Sequence, residues 1–170
     1  MKTLLLMRHA KSSWDDLFCP DHDRTLSGRG QKAALDMAGW LSQNDLNPDA
    51  VLLSSAVRVQ ETWGLLRASL NGTPSTCTVQ NLYMTSADFL LAHIRNTKKS
   101  VQTLLVLNHE PTLSNLTAQL ATSPLPPKCA RALQKFPTAA IAQFDLTDKW
   151  STLSRSTANF TQFIKPKDLT

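Results

Sequence analysis

Short apolar runs separated by longer amphipathic stretches make up the hydrophobic pattern of this chain. The clearest runs are residues 4–7, 50–53 and 103–107, each four or five residues long. Short runs that are apolar at every position are typical of strands buried on both faces of a mostly parallel sheet. We therefore predict three central strands here, with further strands at 78–82 and 139–146.

The stretches between these runs have helical spacing. Apolar positions recur every three or four residues, which is typical of a helix with one buried face. The predicted helices cover residues 30–44, 57–70, 87–96 and 112–121. Ser86 is suited to cap the third helix, and Pro111 to occupy the first position of the fourth. Strands that alternate with helices predict an α/β sandwich.

Two polar or proline-containing segments interrupt this alternation. Residues 12–24 are broken by Pro20 and are expected to form a loop, as is the segment SPLPPK at 123–128. Residues after 146 receive no assignment from the pattern. We see no internal repeat or linker, and 170 residues are enough for a buried core. A single domain over residues 1–170 is therefore expected.

Charge and cysteine content narrow the functional classes. The net charge is +5, but the longest basic run is Lys98-Lys99, so a nucleic-acid surface is not indicated. Three scattered cysteines without a C-x-x-C pair indicate reduced thiols in a cytoplasmic protein. The first apolar run is too short for a signal peptide or a membrane span. The basic excess is compatible with a site for a small anion.

The three central strands each lead into polar or charged residues. Arg8 and His9 follow the first strand, Arg58 follows the second after two serines, and His109 ends the third. In open α/β sheets, ligand sites form beyond the carboxyl ends of the strands. We therefore predict that these four side chains line one crevice.

Their chemistry suits a phosphoryl group. Two guanidinium groups can each bind phosphate oxygens with two parallel hydrogen bonds, and nearby helix N-termini add amide donors. A neutral histidine can attack phosphorus in line and form a phosphohistidine. A second histidine, when protonated, can neutralise the charge that develops on the oxygens.

Four motifs in collinear order resemble those of a known family. They are MRHAKSSWDD, DHDRTLSGRGQKAA, LLSSAVRVQETW and LLVLNHEPTL, and they extend from residue 1 to about 121. Together they resemble the histidine phosphatase superfamily, also called phosphoglycerate-mutase-like. The long form RHAKSSW followed by DHDR is similar to that of the small SixA-type phosphohistidine phosphatases. The segment after residue 121 matches only loosely.

This resemblance implies a fold and a set of roles. The fold would be a three-layer α/β/α sandwich around a mainly parallel sheet, with no metal and no cofactor required. His9 would be the phosphoryl-accepting nucleophile, with Arg8 and Arg58 on the phosphate and His109 as the second pocket histidine. The substrate class implied is phosphohistidine in a protein.

The sequence departs from the family pattern at two strand ends and in the residues that would assist the leaving group. Ala10 replaces a usual glycine, and Asn108 replaces a usual glycine or serine. The glutamate and insertion that mutases use for an alkoxide leaving group are not found. Two alternatives remain open: a small-molecule phosphomonoesterase of the same superfamily, and a noncatalytic phosphate-binding module.

Four further polar residues are candidates for the site. Arg24 could extend the anion site or anchor its loop. Asp16 and Asp23 could reach the pocket mouth, or remain solvated loop carboxylates, with Asp23 pairing with Arg24. Glu110 follows His109 directly and could be an unrecognised general acid.

Overall fold

One mixed sheet of six strands organises the computed structural model, which describes residues 1–169 apart from the side chain of Lys128. The strands are β1 Lys2–Arg8, β2 Ala50–Ser54, β3 Ser75–Val79, β4 Thr103–Asn108, β5 Ile141–Leu146 and β6 Asn159–Ile164. Their spatial order is β3-β2-β4-β1-β5-β6. The first four strands run parallel, and β5 pairs antiparallel with both β1 and β6.

Five helices cover the two faces of this sheet. They are α1 Gly28–Gln43, α2 Val57–Arg67, α3 Ala87–Arg95, α4 Thr112–Leu120 and α5 Pro127–Gln134. One hydrophobic core joins the sheet to α1 and α2, and the other joins it to α3, α4 and α5. The predicted three-layer α/β/α sandwich with a mainly parallel sheet is confirmed.

The all-apolar run of β1 is explained by these two cores. Successive side chains of a strand point to opposite faces, so Leu4 and Leu6 contact the α3–α5 core while Leu5 and Met7 contact the α1–α2 core. All four are fully buried, and each contributes about 1.5–3 kcal/mol from removal of its side chain from water. Alternation places Arg8 on the α3–α5 side.

The start of α1 lies directly against the loop that follows β1. The Ser27 hydroxyl caps the helix by accepting the Gly30 amide at 3.1 Å. A Cβ at Gly30 would lie 2.1 Å from the Lys11 carbonyl oxygen. Glycine is therefore required for this close approach, which holds the residues after His9 against the helix.

Two parts of the sequence prediction were wrong in extent or type, and one strand lies where none was predicted. The third strand lies at Ser75–Val79 rather than 78–82, and residues Gln80–Leu82 form a 3-10 turn. Helix α5 begins at Pro127, inside the segment expected to be a loop, because proline is well suited to a first helical position. Strand β6 lies in the unassigned tail. Within the described residues, no helix has the length and apolar character needed to cross a membrane.

Candidate active site

The carboxyl ends of β1, β2 and β4 meet because these strands are parallel neighbours in the sheet. Arg8 pairs in register with Asn108, and the His9 amide donates to the Asn108 carbonyl at 3.1 Å. The rings of His9 and His109 lie 5.0 Å apart between centroids. The structure therefore brings the two histidines together, as the strand-end argument predicted.

His9 is held as a neutral imidazole with one nitrogen committed to the backbone. Its Nδ1 lies 2.7 Å from the Ala10 carbonyl oxygen, which can only accept, so Nδ1 carries the proton. Its Nε2 accepts a hydrogen bond from Arg58 Nε at 3.3 Å. Burial lowers the pKa of His9 to about 4, opposed by the Ala10 bond and reinforced by the charge of Arg58. The Nε2 lone pair is thus directed toward the guanidinium.

His109 is also neutral in this structure. Its Nδ1 accepts from Arg58 Nη2 at 3.4 Å, so its Nε2 is the protonated nitrogen and donates to Ser54 Oγ at 2.8 Å. Burial, then His9 and Arg58, lower the pKa of His109 to about 3. A protonated imidazole at His109, the form that can neutralise phosphoryl oxygens, requires an anion close enough to favour the charged state.

Arg58 lies between the two histidines. It occupies the first turn of α2, and its side chain is only 7% exposed. Besides both imidazoles, it contacts Asp21 through the main-chain carbonyl and through Oδ2 at 3.0 Å. A bond from the Tyr83 hydroxyl, together with Arg58, lowers the pKa of Asp21 to about 2. Asp21 is therefore ionised at neutral pH.

Arg8 approaches the same region from the α3–α5 face. Its Nη1 donates to the Phe136 carbonyl at 2.8 Å, while its Nε is buried without a partner among the described residues. Burial lowers the pKa of Arg8, with Glu110 opposing and Arg58 adding to this effect. The Nδ2 of Asn108, its register neighbour, is a second buried donor without a described partner. Two N–H donors at the ends of adjacent strands can therefore still donate a hydrogen bond to an acceptor.

Thr62 joins the turn after His9 to helix α2. Its hydroxyl accepts the Ala10 amide at 3.0 Å and donates to the Arg58 carbonyl at 2.6 Å. This single side chain therefore fixes the position of His9 relative to Arg58. The sequence carried no signal for this role, since a threonine one turn after Arg58 is unremarkable in a helix.

Arg24 is a loop anchor rather than an extension of the anion site. Its guanidinium donates to the Ser13 carbonyl and the Ser12 hydroxyl and lies 3.2 Å from the centroid of the Trp14 ring. Its ion pair is with Asp21, at 3.3 Å. The alternative in which Asp23 pairs with Arg24 is not observed, because Asp23, in the 3-10 turn Asp21–Asp23, lies 2.7 Å from His22.

The other candidate carboxylates serve local structure. Asp16 Oδ1 accepts the Phe18 amide at 2.9 Å and so shapes the loop. Glu110 Oε1 accepts the Ser114 amide at 3.0 Å in the first turn of α4. Within residues 1–169, no group of three histidine, cysteine or acidic side chains is arranged to hold a metal ion.

Sequence reasoning missed Asp21, Tyr83 and Ser54 as members of the site. Asp21 belongs to the same DHDR motif as Asp23, but only the direction of the 3-10 turn decides which aspartate faces Arg58. Tyr83 follows β3, whose end was misplaced. Ser54 ends β2, where the signal was present in the paired serines.

Comparison with known proteins places this geometry in a family. Residues 4–80 match the model of the histidine phosphatase superfamily (branch 1). An uncharacterized protein of Mycobacterium leprae is 34% identical over 165 residues, covering 95% of this chain and all of that protein.

Two solved structures share the fold over nearly the whole chain. One is a Nakamurella multipartitia protein proposed to be the phosphohistidine phosphatase SixA, with 25% identity, a TM-score of 0.86, and 97% and 96% of the two chains covered. The other is the protein histidine phosphatase SixA complexed with tungstate, with 25% identity, a TM-score of 0.81 and 99% of each chain covered. These similarities support a phosphatase activity. The chain, with its paired histidines at the ends of β1 and β4, belongs to the histidine phosphatase superfamily and has the SixA-like form of it.

Proposed function

We propose that this protein is a phosphatase in which His9 accepts the phosphoryl group, and that phosphohistidine in proteins is its substrate class. The observation that carries the proposal is the state of His9. Its Nδ1–H is held by the Ala10 carbonyl, and its pKa of about 4 keeps Nε2 unprotonated at neutral pH. A fixed, neutral imidazole beside an arginine is prepared to attack phosphorus.

The reaction has two steps. In the first, His9 Nε2 forms a bond to phosphorus while the bond from phosphorus to the substrate nitrogen breaks, and the electron pair leaves with the substrate imidazole. In the second, a water oxygen attacks the phosphorus of phosphorylated His9 and loses a proton to solvent, while the bond from phosphorus to His9 Nε2 breaks, its electron pair returns to Nε2 and inorganic phosphate is released. Arg8 and Arg58 supply guanidinium donors for the phosphoryl oxygens in both steps.

In this scheme, His109 becomes protonated when substrate binds. A phosphoryl dianion next to His109 favours the imidazolium form and so raises its pKa from about 3. The added proton is on Nδ1, which accepts from Arg58 in this structure and would donate to a phosphoryl oxygen instead. Substrate binding is therefore coupled to proton uptake at His109.

The leaving group distinguishes phosphohistidine from ordinary esters. An alkyl phosphate expels an alkoxide, which needs a positioned general acid. Asp21 is ionised and bound to Arg58, so it holds no proton for this purpose, and Glu110 Oε1 accepts the Ser114 amide at the start of α4. Phosphohistidine leaves as an imidazole whose conjugate acid has a pKa of about 6.5, and this departure needs little assistance.

The solved SixA complex is consistent with the same substrate class. Tungstate is a tetrahedral oxyanion like phosphate, and the protein that binds it is named a protein histidine phosphatase. By analogy, the donors of Arg8 and Arg58 would hold a tetrahedral anion here.

The test compares leaving groups at constant pH. We expect turnover of a phosphohistidine peptide and of p-nitrophenyl phosphate, and a kcat/KM for 3-phosphoglycerate at least about a hundredfold lower. Comparable kcat/KM values for the peptide and 3-phosphoglycerate would reject the proposal and favour a small-molecule phosphomonoesterase with an unrecognised general acid. Phosphate binding without any turnover would favour a noncatalytic module.

A further inference from the structure

Four large apolar side chains beside the site are exposed to solvent. Trp14, Leu17 and Phe18 lie in the loop after His9 and are 67%, 82% and 96% exposed, and Met84 is 84% exposed. We call these four residues the apolar rim. Large exposed apolar surfaces in soluble proteins commonly mark interaction sites.

The apolar rim is joined to the phosphate site along the chain, through Asp21 and Tyr83. Phe18 precedes Asp21 by three residues, and Asp21 Oδ2 contacts both Arg58 Nη2 at 3.0 Å and the Tyr83 hydroxyl at 2.7 Å. Met84 is the residue after Tyr83. The rim residues thus belong to the two segments that meet at the carboxylate nearest Arg58.

The loop that carries Trp14, Leu17 and Phe18 is internally bonded. The Phe18 amide donates to Asp16, the Ser13 hydroxyl donates to Asp15 at 2.7 Å, and Arg24 holds the Ser13 carbonyl while stacking on Trp14. These bonds hold the backbone in a shape that turns Leu17 and Phe18 away from the protein's own core. The exposure of these side chains is therefore maintained by the hydrogen bonds of the loop.

We propose that the apolar rim docks a folded phosphoprotein so that its phosphohistidine reaches His9. This inference rests on the proposed function and adds the recognition surface to it. A side chain that is 96% exposed, such as Phe18, contacts almost none of its own chain. It becomes buried only by entering a hollow on a partner, which a folded protein offers and a short peptide or small phosphate ester does not.

Charge further defines the partner. The loop carries exposed carboxylates at Asp15 and Asp16, whereas the pocket beside it contains Arg8 and Arg58. A complementary surface has the phosphoryl group next to an apolar hollow with basic residues at its edge. A second copy of this chain would bring the aspartates against each other, and an anionic membrane would be repelled by them. Both are therefore weaker fits than a basic-edged phosphoprotein.

The test uses substrates of different size with one set of variants. The substrates are a folded helical protein phosphorylated on one surface histidine by phosphoramidate, a ten-residue peptide with the same phosphohistidine, and p-nitrophenyl phosphate. The variants are the double change Leu17→Ser with Phe18→Ser, and the single change Met84→Ser. Leu35→Ser is the matched control, because Leu35 is 49% exposed on α1 outside the rim.

Wild-type enzyme should have a higher kcat/KM for the folded protein than for the peptide. The kcat/KM of the rim variants on the folded protein should fall about tenfold or more, mainly through a higher KM. Truncation of an energetically important interface residue lowers the binding free energy by more than about 1 kcal/mol. Their kcat/KM for p-nitrophenyl phosphate should match wild type. Leu35→Ser should change none of these values.

Three results would overturn the inference. The first is a wild-type kcat/KM that is equal for the folded phosphoprotein and the peptide. The second is an unchanged kcat/KM of the rim variants on the folded phosphoprotein. The third is a loss of kcat/KM on p-nitrophenyl phosphate equal to that on the phosphoprotein, which would mean that the rim only supports the pocket. A wild-type dimer that dissociates in the rim variants would assign the surface to a second copy instead. Failure of the proposed function has a separate signature, namely turnover of p-nitrophenyl phosphate with none of either phosphohistidine substrate.

Discussion

The residues before and after position 121 contribute to the site in different ways. The first region supplies the imidazoles and guanidinium groups of His9, His109, Arg8 and Arg58. The second supplies main-chain groups: the Phe136 carbonyl accepts from Arg8 Nη1, the Ala140 carbonyl accepts the Arg8 amide, and the Ala139 amide lies 3.1 Å from the carbonyl oxygens of both Arg8 and His9. The first region thus carries the chemistry, and the second adds main-chain contacts that help to position Arg8 and His9.

The family signal lies within the first region. The superfamily model matches residues 4–80, although the Mycobacterium leprae relative aligns over 95% of the chain. Side-chain chemistry demands particular residue types, whereas a carbonyl or an amide can come from almost any residue. We therefore expect the second region to be constrained in shape more than in identity. Four substitutions or titrations test that conclusion.

The largest effect is expected from His9→Ala. Without its nucleophile the enzyme should lose about a thousandfold or more in kcat while still binding phosphate through the arginines. Acid-labile phosphoenzyme should be trapped in rapid-quench experiments with wild type and not with the variant. His93→Ala is the matched control, because the His93 ring on α3 packs against Phe89, with its Nδ1 3.0 Å from the Phe89 carbonyl oxygen. Near-normal activity of His9→Ala would reject nucleophilic catalysis by this residue.

A smaller loss is expected from Arg8→Lys, which joins the two regions. Lysine keeps the charge but cannot donate to Phe136 and also present a planar pair of donors to phosphate. We expect kcat/KM for p-nitrophenyl phosphate to fall about ten- to a hundredfold, or about 1.4–2.7 kcal/mol, with the fold retained in circular dichroism. Wild-type kinetics in this variant would mean that Arg8 is only a structural contact.

The third prediction concerns Ala139, which has a φ of 62° and is fully buried. A β-branched side chain in this left-handed conformation is strained and would overpack the core. Ala139→Val should lower the free energy of unfolding by about 1–3 kcal/mol, and Ala139→Gly should change it far less. Urea denaturation measures both, and similar midpoints for the two variants would show that backbone shape at Ala139 is not limiting.

The last prediction concerns pH rather than a substitution. His9 and His109 have pKa values of about 4 and 3 in the folded protein, below the usual 6.5. At pH values between the folded pKa and 6.5, the unfolded chain therefore binds more protons at these histidines than the folded chain does. Stability should therefore be fully present above pH 6.5 and decline as pH falls toward 4. Histidine-labelled NMR should show both rings neutral at pH 6. Added inorganic phosphate should raise the pKa of His109, and a pKa of His109 that phosphate leaves unchanged would contradict proton-coupled binding.

Much of the fold was predictable because its pattern is local. The apolar runs of β1, β2 and β4 and the helical spacing of α1 to α4 are properties of neighbouring residues, so they can be recognised without contacts. Helix α5 and β6 were missed because Pro-rich and mixed polar segments are compatible with several structures. Their conformations are stabilised by packing against the α3–α5 core, which distant parts of the chain provide.

The sequence by itself determined that His9, Arg58 and His109 would meet, because each lies at or just after the carboxyl end of a parallel strand and such ends share one edge of the sheet. Only the tertiary structure decided which nitrogen of His9 is free, that Asp21 rather than Asp23 faces Arg58, and that Phe136 holds Arg8. The free nitrogen of His9 is decided by a hydrogen bond to the adjacent Ala10 carbonyl, and the other two features depend on hydrogen bonds between residues 37 and 128 positions apart. A residue pattern records side-chain type and spacing, but hydrogen-bond direction is set by the packed backbone.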